Sequence, residues 1–369
     1  MPFADELLGA QQASAMVQLL QSAAGGRQLS ATRATADGLD GLALGARSSH
    51  LAASILEDLP VGYPEFAAII RRALESSALE GWMVWPISNA VSAAAIADGG
   101  AAAFDDGMQL LAELTPRLTC EWAVRPMLRA RLERALEIML EWTRSDDEHV
   151  RRLASEGTRP YLPWGTRVAE ITRDARLCIP ILDALYRDDS EVVRRSVANH
   201  LNDISRHDAT LVCETAASWL ADGDEHTPRL VRHALRTLVK RGDPDALALL
   251  GFGSAEVAVE GPTLDRASMV LGEELLITAS ITNRGEVAAD LVVDYVVHHV
   301  KADGSRTPKT FKISTTTLAP GATLSISKRH AVRPITTRRY HPGVHAIELQ
   351  VNGVRHGFAE FDLVLDPVC

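Results

Sequence analysis

The chain has 369 residues, of which 46% are hydrophobic and 23% charged, a composition typical of soluble globular proteins with two or three cores. The formal net charge of −10 argues, taken alone, against a nucleic-acid-binding protein, but net charge does not describe local patches. No apolar run is long enough to span a bilayer, and the start of the chain shows no signal-peptide pattern. We therefore expect a cytoplasmic protein that has no membrane partner.

The cysteines and lysines limit the chemistry that the chain can perform. Cys120, Cys178, Cys213 and Cys369 are far apart and form no CxxC motif, so we expect a reduced protein without a metal site or another cofactor. Only five of the 38 basic residues are lysines, and none of them occurs in the first 239 residues. A site in that region therefore has no lysine amine for Schiff-base chemistry.

The first 142 residues show helical spacing of apolar residues and no β-type alternation. Helices are predicted over residues 4–20, 42–59, 63–76, around 81–85, and 104–114, with a break at Gly99-Gly100. A further helix is predicted from about 120 to 142. Thr119 would cap it, and Pro126 would kink its first turns.

A repeated signature begins near residue 145. The tripeptide Val150-Arg151-Arg152 recurs at Val193-Arg194-Arg195, and a looser copy stands at Val231-Arg232-His233. The intervals of 43 and 38 residues are typical of HEAT-like repeats. We therefore predict an all-α HEAT-like repeat solenoid over residues 1–250.

The segment 191–205 is the clearest helix of this region. Its apolar stripe is predicted to be buried and consists of Val193, Val197, Leu201 and Ile204. Two polar residues point away from that stripe on a helical wheel, Arg195 and Asn202. Three more lie on one flank, between core and solvent: Asn199, Asp203 and Arg206. Helices are predicted to follow at 209–221 and 228–241, the second ending at Gly242-Asp243-Pro244.

From about residue 251 the pattern changes to β-type alternation. Strands are predicted over residues 255–261, 273–283, 289–300, 309–318, 322–332 and 345–353, with turn signals between them. Their number and spacing predict an all-β immunoglobulin-like sandwich over residues 254–369, without a core disulfide.

Positive charge is concentrated in one part of this second region. Residues 301–339 contain nine arginines and lysines and a single acid, Asp303, which gives a local charge of +8. Such a stretch could follow a phosphate backbone, with Lys309, Lys312, Arg338 and Arg339 as contacts. The alternative is a set of solvated strand edges that charge protects from aggregation.

Four segments resemble the AlkC-type alkylpurine DNA glycosylases, which are related to the AlkD branch of HEAT-like repeat glycosylases. They are LALGARSSHLAASILEDLP, LTPRLTCEWAVRPML, EHVRRLASEGTRPYLPWG and VRRSVANHLNDIS. The resemblance covers residues 40–250, and the sandwich resembles an extension that some members carry. It implies removal of alkylated bases from double-stranded DNA, chiefly 3-methyladenine and, in the AlkC branch, 3-methylcytosine, without flipping of the base. The implied site residues are Glu121, Glu156, Trp164 and Asp203.

The chemistry of a cationic base agrees with this assignment. A 3-methylated adenine already carries a positive charge, so its departure needs no strong general acid. A fixed carboxylate can stabilise the oxocarbenium-like sugar and orient the attacking water. Trp164 can contact the cationic base through its π-face. Because no lysine lies near, we predict a monofunctional glycosylase that leaves an abasic site.

Each site residue also has a plain structural interpretation. Asp203 could pair with Arg206, and Glu156 could pair with Arg152 at the i, i+4 spacing. Glu121 could occupy a first helical turn, and Trp164 could be a packing staple at a helix start. The arginines of the repeats could bind the DNA backbone or pair with neighbouring acids: Arg151, Arg152, Arg159, Arg194, Arg195, Arg232 and Arg236.

Two rival interpretations remain. The repeats could form a non-catalytic scaffold for a protein partner, or they could bind damaged DNA without cutting it. Our preferred interpretation is a monomeric hydrolase whose helical region holds the duplex and whose sandwich closes over it through residues 301–339.

Overall fold

Helices occupy the chain from Ala4 to Leu249 and strands from Val257 to Val364, in a computed structural model that describes residues 4–335 and 338–365. This order confirms the predicted helical region followed by a sandwich. Two units can be distinguished. The first contains the residues up to Leu211 and Ser218–Ala234, and the second contains Val212–Ala217 and the residues from Leu235 onward. The division into 1–250 and 254–369 stays a prediction.

A first group of helices lies before the first Val-Arg-Arg signature. They are α1 (Ala4–Leu8), α2 (Ala10–Ala23), α3 (Ser30–Asp37), α4 (Leu44–Asp58), α5 (Tyr63–Leu74), α6 (Val84–Asp98), α7 (Ala101–Leu114), α8 (Val124–Ala130) and α9 (Leu132–Trp142). The helices that follow are α10 (Glu148–Gly157), α11 (Ala169–Arg173), α12 (Ile179–Leu185), α13 (Glu191–Ile204), α14 (Ala209–Ala221), α15 (Thr227–Ala234), α16 (Arg236–Arg241) and α17 (Pro244–Leu249).

The predicted helix over 120–142 is wrong in its start and in its break. Residues 121–123 form a turn, and α8 begins only at Val124. Pro126 therefore lies in the first turn, where a missing backbone N–H costs nothing. The break falls at Arg131, whose φ of −147° and ψ of 76° end α8 and begin α9. Similarly, Gly9 separates α1 from α2, and α3 lies between the predicted helices 4–20 and 42–59, where no helix was predicted.

Helix α13 is buried more completely than its sequence predicts. Val193, Val197, Leu201 and Ile204 are at most 2% exposed, which confirms the predicted stripe. Asn202, predicted to point away from the core, is only 6% exposed, and this prediction is wrong. The physical reason is that α13 packs against α10, α12 and α15, so that more than one of its faces is covered.

The strands form two sheets. They are β1 (Val257–Leu264), β2 (Ser268–Val270), β3 (Glu274–Asn283), β4 (Ala289–Val300), β5 (Arg306–Leu318), β6 (Thr323–Ala331), β7 (Gly343–Val351) and β8 (Val354–Val364). One sheet has the order β1-β3-β6, and the other has the order β2-β8-β7-β4-β5. A core of residues such as Ile277, Tyr295, Ile347 and Phe361 lies in this region. The sequence analysis missed β2 and β8.

Three of the four cysteines lie in the described residues. Cys120, Cys178 and Cys213 are buried and free. Burial raises the pKa of the Cys120 and Cys178 thiols to about 12, so both stay protonated at neutral pH. Cys369 lies outside the described residues.

Candidate active site

Three separate elements supply the candidate carboxylates. Glu121 lies in the turn before α8, Glu156 in the last turn of α10, and Asp203 in the last turn of α13. Their exposed fractions are 7%, 5% and 2%. Since α8 begins at Val124, Glu121 does not occupy a first helical turn, and that interpretation is wrong.

Two arginines join these carboxylates into one chain of ion pairs. Arg152 Nη1 lies 3.0 Å from Glu121 Oε2, and Arg152 Nη2 lies 3.7 Å from Glu156 Oε2. Arg159 Nη1 lies 2.5 Å from Glu156 Oε1, and Arg159 Nε lies 2.9 Å from Asp203 Oδ2. The structure thus brings all three predicted carboxylates together, with an arginine between each neighbouring pair.

The plain structural interpretations of these residues have different outcomes. The ion pair between Glu156 and Arg152 is present, as predicted. Asp203 pairs with Arg159, across 44 residues of sequence, and the predicted pair with Arg206 is wrong because Arg159 takes its place. The nearby Arg206 still acts on Asp203 through its charge, which lowers the carboxyl pKa.

Polar groups of α10 and α13 fix the Glu156 carboxylate. Ser196 Oγ donates to Glu156 Oε2 over 2.6 Å and lies 3.0 Å from Ser155 Oγ. His200 Nδ1 lies 3.0 Å from the carbonyl oxygen of Ser155. Burial lowers the pKa of His200 to about 3, so its ring is neutral at physiological pH and does not add a positive charge.

Burial opposes the ionisation of the outer two carboxylates. It raises the pKa of Asp203, although Arg159 partly compensates for it. Burial also raises the pKa of Glu121, and the charge of Arg152 partly offsets this rise. Poorly hydrated carboxylates of this kind interact more strongly with a developing positive charge than carboxylates in bulk water do.

Trp164 lies in the loop of residues 158–168 between α10 and α11 and is 67% exposed. Its φ of 60° is in the left-handed region, which non-glycine residues rarely adopt outside sites that require it. The indole stacks on Trp122 with the ring centroids 6.2 Å apart, and Trp122 directly follows Glu121. Trp164 therefore does not staple a helix start, and it presents its ring to solvent while stacking on the residue that follows Glu121.

Trp122 in turn contacts two further indoles. Its ring centroid lies 4.5 Å from that of Trp85 and 6.0 Å from that of Trp82. Its Nε1 donates to the carbonyl oxygen of Pro163 over 3.1 Å. A connected group of aromatic rings thus supports the exposed Trp164.

The Arg125 side chain forms hydrogen bonds with the backbone near both ends of the same loop. Its side chain is 1% exposed and carries three hydrogen bonds to backbone carbonyl oxygens. Nη1 donates to Gly157 and Arg159 over 2.9 and 2.8 Å, and Nε donates to Thr166 over 2.7 Å. One arginine therefore ties the end of α10 to the loop that carries Trp164.

Several arginines that the sequence offered as DNA contacts have partners inside the protein. Arg151 Nε lies 2.6 Å from Asp188 Oδ2, and Arg194 Nη1 donates to the carbonyl oxygens of Asp188 and Asp189. Arg152 and Arg159 belong to the chain of carboxylates. Arg151, Arg152 and Arg159 thus form the ion pairs with neighbouring acids that the alternative interpretation predicts, whereas the Arg194 contacts are to main-chain carbonyl oxygens. Whether any of the four also binds DNA stays a prediction.

Other predicted DNA contacts are exposed or half-buried. Arg195 pairs with Glu191 at 3.2 Å and is 62% exposed in its side chain, Arg232 is exposed, and Arg236 is half-buried. A cavity of about 440 Å³ lies between α13 and α15. Its lining is rich in cationic and imidazole side chains: Arg194, Arg195, His226, Arg229, Arg232 and His233.

Two of the predicted contacts of the sandwich, Lys309 and Lys312, have charged neighbours. Lys309 is near Arg338, since the charge of Arg338 contributes, after burial, to the lowered pKa of Lys309. Lys312 instead lies near Asp294, whose pKa burial raises to about 6 and the Lys312 charge lowers. Lys309, Lys312 and Arg339 are exposed, and Arg338 is half-buried.

The sequence analysis missed some residues that shape the site. Arg125 stands in the motif TCEWAVRP, and Ser196 follows the second V-R-R signature. Tyr161 stands between two prolines, a few residues before Trp164, and that unusual neighbourhood was an available signal.

Within the described ranges, no group of histidines, cysteines and acids has the arrangement of a metal site. No described helix has the length and apolar character needed to cross a membrane.

Comparisons with known proteins give consistent results. A family model described as DNA alkylation repair enzyme matches residues 118–238, and a model of the C-terminal Ig-like domain of the uncharacterised protein YhaZ matches residues 258–365. The chain is 34% identical over 314 residues to the uncharacterized protein YhaZ of Bacillus subtilis, covering 85% of each chain. It is also similar to the alkylpurine DNA glycosylase AlkC of Pseudomonas fluorescens, solved bound to DNA containing an abasic site analog. That match has 33% identity and a TM-score of 0.88, and it covers 98% of this chain and 100% of the other.

Proposed function

The chain belongs to the AlkC family of DNA alkylation repair glycosylases with a C-terminal Ig-like domain, and from this premise we propose that it hydrolyses the N-glycosidic bond of cationic alkylated bases in duplex DNA. The expected substrates are 3-methyladenine and 3-methylcytosine. The observation that supports this proposal is the chain of three buried carboxylates, one of which, Glu121, is followed by the Trp122 ring on which the exposed indole of Trp164 stacks.

The reaction needs stabilisation of positive charge more than it needs an acid. An alkylated cationic base leaves without protonation, and the sugar left behind has oxocarbenium character. In our proposal Asp203 and Glu156 stabilise that charge and position the attacking water, and Glu121 supports them. Neutral damaged bases should be poor substrates, since the carboxylates are ionised in this mechanism and supply no proton to the leaving base.

The carboxylates of Asp203 and Glu156 have different hydrogen-bond partners, and we assign them different roles in the reaction. Both oxygens of Glu156 have close partners, Arg159 and Ser196, which fixes its charge in position. Asp203 has Arg159 on Oδ2 and a hydrogen bond from the Tyr161 backbone amide. We assign to Asp203 the closest approach to the sugar and the water, and to Glu156 the fixed negative charge behind it.

Trp164 is proposed to contact the lesion at the surface of the duplex. An indole that is two-thirds exposed can place its π-face against a cationic base or the exposed sugar. This arrangement suits a mechanism in which the base is not flipped into a deep pocket. Water is the proposed nucleophile, because the first 239 residues contain no lysine, and the product is an abasic site in an uncut strand.

Backbone contacts are assigned to the exposed cations. Arg195 and Arg232 line the cavity between α13 and α15 and are the proposed phosphate contacts of the first unit. Arg236, four residues after Arg232, is a further proposed contact. Lys309, Lys312, Arg338 and Arg339 are the proposed contacts of the sandwich. We propose that the protein acts as a monomer on double-stranded DNA at the nucleoid.

The test is release of free base from duplex DNA that carries 3-methyladenine. Asp203→Asn and Glu156→Gln should each lower the single-turnover rate by about a hundredfold while DNA binding is retained. Glu65→Gln, which removes an exposed carboxylate of α5, a helix that carries none of the assigned residues, is the control and should keep the rate.

If wild-type protein releases no base, the glycosylase proposal fails, and binding without turnover would favour the damage-binding alternative. If base is released but both variants keep the wild-type rate, the function stands and the assigned residues are wrong. A cut strand without added base would contradict the monofunctional assignment.

A further inference from the structure

A cluster of cations surrounds Tyr161, outside the residues assigned so far. The guanidinium carbon of Arg206 lies 4.2 Å from the centroid of the Tyr161 ring, and that of Arg167 lies 4.9 Å from it. His207 stacks on the same ring at 5.5 Å, and its Nε2 contacts the Tyr161 hydroxyl. One half-buried aromatic ring thus holds two arginines and a histidine.

These arginines differ from those of the carboxylate chain. Arg167 and Arg206 are both exposed, and neither forms an ion pair with a carboxylate in the part of the chain that the structure describes. Arg152 and Arg159, by contrast, form ion pairs with buried carboxylates. A guanidinium on an aromatic ring keeps its charge and its fork of N–H donors, which match the oxygens of a phosphate.

The cluster is connected to the proposed reaction centre. The backbone amide of Tyr161 forms a hydrogen bond with Asp203, and the charge of Arg206 acts on the same carboxylate. Tyr161 and Arg167 belong to the loop that carries Trp164, and Arg206 lies just beyond the end of α13. An anion bound by the two arginines would therefore lie near the Asp203 carboxylate, at the loop that carries Trp164.

We propose that Arg167 and Arg206, aligned by the Tyr161 ring, form a clamp for a phosphodiester of the DNA strand that carries the damaged nucleotide. This inference rests on the proposed function, since the damaged strand is the one whose sugar must meet Asp203. The clamp fixes the backbone next to the reacting sugar, and Tyr161 limits the freedom of both side chains before DNA binds.

The clamp predicts a specific dependence on salt. Each phosphate contact on duplex DNA contributes about 0.9 to the slope of log binding constant against log salt concentration. Arg167→Gln and Arg206→Gln should each reduce that slope by about 0.9, and the double variant should reduce it by about 1.8. The probe is a duplex that contains a stable abasic-site analogue, titrated from low to moderate potassium chloride.

Control variants distinguish the loss of the clamp from the effect of removing any one positive charge. Arg33→Gln removes one charge from α3, a helix that carries none of the site residues, and should leave the slope unchanged. Tyr161→Leu removes the ring and should weaken binding, whereas Tyr161→Phe keeps the ring and should retain the wild-type slope. In base release, Arg167→Gln should raise KM with kcat within about twofold, because a contact to the backbone acts equally on ground state and transition state.

Unchanged slopes in both arginine variants, or an equal reduction in Arg33→Gln, would overturn the clamp. Base release by wild-type protein is measured in parallel. If base is released and the slopes do not change, the clamp alone fails. If no base is released and the slopes fall as expected, the clamp stands as a DNA contact and the proposed function fails. If wild-type protein does not bind the duplex, both are overturned.

Discussion

Asp203 illustrates a conflict between folding and the proposed chemistry at the scale of one residue. Its carboxylate is 2% exposed, and burial raises its pKa even though Arg159 donates to it. The folded state therefore binds the Asp203 proton more tightly than the unfolded state does. Ionisation of this group opposes folding, and we attribute its presence to the reaction.

The first prediction concerns this carboxylate. Because its folded-state pKa is raised, the folded protein loses stability as the pH rises through that pKa and regains it as the pH falls. Asp203→Asn removes the ionisation and should be more stable than wild type at pH 7, by up to about 1 kcal/mol. The difference should shrink as the pH falls through the raised pKa.

Urea unfolding of both proteins at a series of pH values measures this difference. Glu191→Gln, whose carboxylate is exposed and has a lowered pKa, is the control and should not show the gain at pH 7. A less stable Asp203→Asn at pH 7 would mean that the ion pair with Arg159 outweighs the cost of burial.

Trp164 gives the second prediction. Trp164→Ala should change the free energy of unfolding by less than about 1 kcal/mol, because the indole is 67% exposed. Base release should fall about tenfold, since the contact of the π-face with the cationic base is lost. Trp142→Ala removes a ring that is 6% exposed and should instead cost about 3 to 5 kcal/mol of stability.

Thermal unfolding and single-turnover base release together check this pair. A Trp164→Ala protein that is as destabilised as Trp142→Ala would show that the exposed indole is mainly structural. An unchanged rate of base release would remove Trp164 from the site.

At the scale of an element, the loop of residues 158–168 is positioned by one buried cation. Arg125 donates to carbonyl oxygens near both ends of this irregular segment. Burial lowers its pKa to about 10, so the guanidinium remains charged at neutral pH. The geometry of Trp164 and Tyr161 thus depends on a residue in α8.

The third prediction follows from these three hydrogen bonds. Arg125→Met fills a similar volume but leaves the carbonyl oxygens without their donor, and it should lower the free energy of unfolding by about 3 to 5 kcal/mol. Arg129→Met changes an exposed residue of the same helix and should stay within about 0.5 kcal/mol of wild type. Equal effects in a urea titration would contradict the role given to Arg125.

How far the sequence predicts the elements depends on how local the determining interaction is. The stripe on α13 and the Glu156–Arg152 pair follow from helical spacing alone, and both were predicted. The Arg159–Asp203 pair and the burial of Asn202 depend on which helices meet, and spacing along one helix does not contain that information. Strand β8 was missed because Gly357 and polar residues interrupt its alternation, and β2 because it has only three residues.

At the scale of the whole molecule, the helices near residue 240 belong with the sandwich. Thr310 Oγ1 and Gln350 Nε2 both donate to the carbonyl oxygen of Lys240, over 3.0 and 3.3 Å. The backbones of Gly242 and Gly353 touch, so that a Cβ added to Gly353 would lie 2.6 Å from Gly242 O. The change from helical to alternating sequence therefore does not coincide with the division into units at Leu235.

The fourth prediction tests this contact. Gly353→Ala should destabilise the protein by about 1 to 3 kcal/mol more than Gly304→Ala, because the added methyl meets backbone atoms that have no free rotation. Both glycines have a positive φ, 84° and 78°, so the conformational strain is matched, but nothing lies within 4 Å of a Cβ at Gly304. Equal losses in thermal unfolding would show that the glycine contact is not required.

The distribution of lysines has a practical consequence for experiments on this protein. All five lysines lie at or beyond position 240, and hence in the second unit. An amine-reactive dye or cross-linker will therefore mark that unit and the amino terminus, and it will leave the arginine-rich helices unmodified. A lysine-specific protease will likewise cut the sandwich unit and spare the carboxylate site. Labelling and limited digestion can thus report on one unit at a time, without any engineered residue.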